Sequence, residues 1–283
     1  MAQLANLPAP LRILAFLLLL GSLWLPLAAL IALWSRDANQ TTIWAMALLF
    51  MGFLALIQRW GRWLHQDPQI LRTYGLSFDL QSRRELLLGL GIGFASLALM
   101  FGLYAGLGWL TWQLPSLSLG RVALEGLLVA IGVGLAEELV FRGWILDELD
   151  RDYRPQIALW SNGLFYALLH FLKPWPDVIR TSPQFPGLVL LGLILVWMKR
   201  STQGHRRTTA SLITRPGRLA LPIGFHAGLV WGYYLFTVGQ LIRLNQTAPE
   251  WLTGINGNPL SGVMGLVWLG GLAVYWQRQA VRA

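Results

Sequence analysis

Eight apolar stretches dominate this chain, at 13–34, 42–57, 86–112, 122–146, 157–172, 186–198, 219–238 and 260–276. A bilayer core of about 30 Å is crossed by about 20 apolar residues of α-helix. The stretch 186–198 is the shortest, and four of the connections carry helix breakers. Those breakers are Gln66-Asp67-Pro68, Leu114-Pro115-Ser116, Lys173-Pro174-Trp175-Pro176 and Arg215-Pro216-Gly217. The pattern predicts an all-α fold: a polytopic membrane protein of about eight transmembrane helices, with residues 1–283 as a single membrane domain. The charge content agrees. Only 12% of residues are charged, where a soluble domain carries about 25%. The stretch 13–34 is too long for a signal-peptide core of about 7–15 residues and reads as the first span.

The net charge of +9 does not point to nucleic acid, because no basic helix with base-reading polar residues occurs. Membrane proteins gather Lys and Arg in cytoplasmic loops instead. With eight spans, sixteen of these cations fall on the side of the termini and five on the other, leaving Arg142 inside the fourth span. The asymmetry predicts an integral, multi-pass protein with both termini cytoplasmic. Arg206 and Arg207 would share that side, and Lys173 and Arg180 would face away. The segment 59–85, with Trp60 and Trp63 among arginines, reads as an interfacial segment on lipid headgroups.

The fourth span ends in Glu137-Glu138-Leu139-Val140-Phe141-Arg142-Gly143. A charge at the centre of a membrane helix costs roughly 2.5–3.5 kcal/mol, so two acids there imply function. Glu138 and Arg142 are spaced i, i+4 and neutralise each other. Glu137 points about 100° away and has no local partner. The expected division is Glu138 with Arg142 as a structural lock and Glu137 as the chemical group, set against an ion-pair network that only holds helices together. Glu125 pairs with Arg121 away from the site. The fifth span carries Asn162 and His170 on one face, and the seventh carries His226 between small residues. His65 and His205 fall in loops and read as solvated.

A carboxylate with one imidazole can hold and deprotonate a water, and a second imidazole can stabilise an oxyanion or protonate a leaving amine. The same residues, Glu137, His170 and His226, could instead hold Zn with an open position for water. The absence of cysteine removes thiol nucleophiles and thiolate ligands. No His-Glu-x-x-His and no Gly-x-Ser-x-Gly is present, and no Asp lies in a span core.

The arrangement resembles the CAAX protease and bacteriocin-processing family of intramembrane proteases, also called the abortive-infection family. Glu137, Glu138 and Arg142 match its first motif, Glu-Glu-x-x-x-Arg. Tyr166 and His170 match the second, an aromatic residue followed four positions later by His. The third, His-x-x-x-Asn or Asp, is matched only by His226, since Val230 stands where the amide or acid is expected. The likeness covers a catalytic core of about 120–236. It implies an intramembrane endopeptidase in which Glu137 and His170 activate water and His226 serves the oxyanion, with Glu138, Arg142, Tyr166 and Asn162 in support. It also implies a membrane-associated protein or peptide substrate and a metalloprotease label. Val230 keeps open a non-catalytic scaffold or immunity-type relative that binds peptide without cleaving it. A proton-coupled transporter is disfavoured, because no inverted repeat is visible.

Overall fold

The computed structural model describes residues 2–207, 212–245 and 247–282. It is 78% helical. Each apolar stretch contributes a helix: α1 (Ala9–Trp34), α2 (Ala38–Leu64), α3 (Leu80–Gly106), α4 (Leu119–Glu138), α5 (Pro155–Leu169), α6 (Phe185–Arg200), α7 (Ala220–Thr237) and α8 (Val263–Arg282). The third stretch, expected to run to 112, leaves its helix at Gly106 and ends in a short strand, Leu110–Trp112. The α4 helix continues through a π-helical segment, Leu139–Ile145, into Leu146–Asp152. The protein is an all-α, polytopic membrane protein.

Among the described residues, five helical stretches are long and apolar enough to cross a membrane: Ala9–Trp34, Ala38–Leu64, Leu80–Gly106, Leu119–Asp152 and Trp175–Arg200. The expected count of about eight is therefore met for five. The α5 helix has only 15 residues. The α7 and α8 helices dilute their apolar runs with His, Tyr, Gln and Gly. The expected interfacial segment is partly a continuation of α2, which runs on to Leu64 because the first breaker is Asp67-Pro68.

The chain divides into two compact units, Met1–Thr73 with Asp147–Arg154, and Tyr74–Leu146 with Pro155–Ala283. In the first, Phe16 packs edge-on against Phe53 and Trp60. Glu148 is fully buried there and needs compensation. Arg12 Nε donates to it at 2.7 Å, Trp60 Nε1 donates at 3.0 Å, and His65 Nε2 lies 2.7 Å away. His65 is thus not a solvated loop residue. It caps α2, and its ring is drawn onto a buried carboxylate.

The second unit is built on close approach of α3 and α7. Gly89 and Gly93 face Gly224 and Gly228, two small-x-x-x-small pairs. A Cβ on Gly89 would enter the backbone at Leu221 and Phe225, and one on Gly224 would enter the backbone at Leu86 and Leu90. Lipid tails are as apolar as leucine, so helices in membranes associate through such backbone packing. Around this seam, Phe101 and Tyr104 are fully buried, and Leu97, Met100 and Phe236 nearly so. Two short antiparallel pairs complete the fold: β1 (Leu110–Trp112) with β4 (Ile242–Leu244), and β2 (Gly204–Arg207) with β3 (Leu212–Arg215). Of His205, only the backbone pairing with Thr214 belongs to the description.

Candidate active site

The acid pair sits where α4 widens. A π-helical segment shifts the helical register and leaves its carbonyls open to other donors, and such segments recur at functional sites. Here Asn162 Nδ2 donates to the carbonyl of Phe141 at 2.7 Å, and Lys199 Nζ donates to that of Arg142 at 2.6 Å. The wide turn begins directly after Glu138. Glu137 and Glu138, on the last α-helical turn, therefore face different surroundings.

Glu138 and Arg142 are fully buried, and Arg142 Nη1 donates to Glu138 Oε1 at 2.9 Å. The guanidinium also donates to the carbonyl of Gly192 at 3.3 Å and stacks 4.2 Å from the centre of the Tyr166 ring. Cation–π contact and pairing together offset the cost of an arginine without water. Glu138 Oε1 has a second partner that its sequence spacing does not reveal: His226 Nδ1, at 2.9 Å. With Nδ1–H donated to the carboxylate, Nε2 of His226 is turned away from Glu138. His170 is held in the same manner. It lies one residue beyond the end of α5, and its Nδ1 is 2.8 Å from the Tyr166 carbonyl, so the ring donates there and presents Nε2.

Both Nε2 atoms face Glu137. His170 Nε2 and His226 Nε2 are each 3.9 Å from Glu137 Oε2. That oxygen is buried and has no hydrogen-bond partner among the described residues. The three atoms thus converge on one point. A separation of 3.9 Å is too long for a hydrogen bond and short enough for one bridging water.

Glu137, Tyr166, His170 and His226 open onto a cavity of about 440 Å³ whose walls are mostly apolar. Leu97, Met100, Leu188, Leu269 and Leu272 line it, and so does Val230. Of the expected site residues, Glu137, His170 and His226 converge. Glu138, Arg142, Tyr166 and Asn162 lie directly behind them. Glu125 pairs with Arg121 in an exposed bridge elsewhere. Lys199, one of the sixteen cations assigned to the side of the termini, also belongs with the site. The available signal was periodicity: Lys199 is seven residues after Gly192, two turns along one face of α6.

The donor types suit a zinc site of the open kind, one carboxylate and two imidazoles, each ring fixed through its other nitrogen. Among the described residues these side chains do not stand close enough to form a ready-made metal group.

Residues 119–232 match the family model described as Type II CAAX prenyl endopeptidase Rce1-like. The match begins at α4 and ends within α7, so it contains all six motif residues and Val230. No curated protein and no solved structure matches the chain.

Proposed function

We propose, from the match of residues 119–232 to the Rce1-like CAAX endopeptidase family model, that this chain is an intramembrane endopeptidase in which Glu137 and His170 activate a water. The family supports an intramembrane protease as such. The observation that carries the finer reading is Glu137 Oε2, buried and without a hydrogen-bond partner, 3.9 Å from two imidazole nitrogens.

A water at the centre of the three atoms donates one proton to Glu137 Oε2 and the other to His170 Nε2. Glu137 accepts its proton as the water oxygen forms a bond to the carbonyl carbon of the scissile peptide. In its protonated form, His226 donates from Nε2 to the developing oxyanion. The C–N bond then breaks, and the proton held by Glu137 passes to the leaving amine. Positioned acid–base groups of this kind contribute about 10²–10⁴ in rate. Glu138 and the Tyr166 carbonyl fix which nitrogen of each imidazole faces the substrate. Glu137, His170 and His226 would also be the residues to hold Zn, which as a Lewis acid would acidify the bound water.

The substrate class is a membrane-associated protein or peptide, whose apolar part would occupy the 440 Å³ cavity. One observation favours a second reading. Val230 lines the cavity at the position where the family motif has a polar side chain, which suits a relative that binds peptide without cutting it. Purified protein in liposomes, given prenylated and unprenylated fluorogenic peptides, separates the two. The proposal expects new peptide termini in at least one series, whereas saturable binding with no cleavage in any series favours the second reading.

A further inference from the structure

Arg142, the first link of the Arg142–Glu138–His226 relay, stands on the wide turn, and a wide turn needs external support. The α6 helix supplies it twice from one face. Its Gly192 carbonyl accepts from the Arg142 guanidinium, and its Lys199 ammonium donates to the Arg142 carbonyl at 2.6 Å. Lys199 is 7% exposed, and a Cβ added to Gly217 would lie 3.1 Å from its Cγ, so its stem is packed as well as its head. A buried ammonium is costly without a hydrogen-bond partner, and the Arg142 carbonyl supplies one.

We propose that Lys199 is a positioning residue of the reaction. It locks the carbonyl of Arg142, so that the guanidinium meets Glu138 Oε1 and Glu138 holds His226 with Nε2 towards Glu137. The proposal rests on the endopeptidase reading above. Lys199 touches neither substrate nor reacting atoms, and its loss should act through His226.

Three variants test it in the full-length protein in liposomes. Lys199→Met removes the donor at similar length. Lys199→Arg restores a cationic donor. Lys199→Gln keeps a neutral donor one atom short, and replaces Lys199→Met if that variant does not fold. Loss of a supporting contact of this type typically costs about 10–100-fold. We expect Lys199→Met to lower kcat by that factor with KM unchanged, and Lys199→Arg to recover most of it. The second readout needs no turnover: the imidazole ¹⁵N signals of ring-labelled histidine. The chain has four histidines, and His226→Gln assigns the relevant pair. The His226 Nδ1 signal should move in Lys199→Met and return in Lys199→Arg. A folded Lys199→Met with full kcat, or with a lowered kcat and an unmoved His226 signal, overturns the proposal. If the unmodified protein cleaves no substrate, the endopeptidase reading fails, and the His226 signal alone decides the role of Lys199.

Discussion

Two neighbouring glutamates, identical in chemistry, are separated by what surrounds them. Glu138 Oε1 is taken by a cation and an imidazole at once, while Glu137 faces the cavity with both histidine Nε2 atoms 3.9 Å away; each carboxylate keeps a buried Oε2 with no hydrogen-bond partner among the described residues. The i, i+4 spacing made the Glu138–Arg142 pair legible in the sequence. The bond from His226 to Glu138 spans 88 positions, and no local periodicity encodes it. Replacement of Glu138 by Ala strands Arg142 in a dry interior and frees the His226 ring. Breaking a buried pair in this way costs about 3–5 kcal/mol, so Glu138→Ala should lower the thermal midpoint and the rate together. An unchanged melting curve would contradict the lock. Val230 invites the opposite kind of test. One oxyanion donor is worth about 10²–10³ in kcat, and Val230 already lines the cavity. Val230→Asn should therefore raise kcat in a folded protein, and an unchanged or lower rate would assign that role to another group.

At the scale of elements, the helices were legible because apolar length and breakers carry the signal, as with the end of α2 before Asp67-Pro68. The wide turn after Glu138 was not legible. No proline or glycine pair marks its start, and its support comes from Asn162 and Lys199 on other helices. Nor does the short α5 announce that His170 sits just past its last turn, although that position brings its ring to Glu137. The α3–α7 seam offers a test with an internal control. A Cβ at Gly93 would enter the backbone at Phe225 and Leu229, whereas one at Gly91, half a turn away, meets nothing within 4 Å. Gly93→Ala should destabilise the protein by about 1–3 kcal/mol through overpacking. Gly91→Ala should be neutral or stabilising by up to about 1 kcal/mol. Equal melting points for the two would refute backbone contact as the basis of the seam.

At the scale of the molecule, the cation distribution supports a proposal that both termini are cytoplasmic. The chain lacks cysteine, so single-cysteine labelling has no background. A cysteine at Arg180 should react with an impermeant reagent outside intact cells, and one at His205 should not; the reverse pattern would invert the topology. The central claim is that Glu137 is the group that accepts the proton of the attacking water. Glu137→Gln keeps the side-chain shape but cannot take that proton. The decisive measurement is turnover by this variant in liposomes, with substrate affinity and thermal midpoint read on the same preparation. The account predicts undetectable cleavage with both of those retained; cleavage at the parent rate by a folded Glu137→Gln would contradict it.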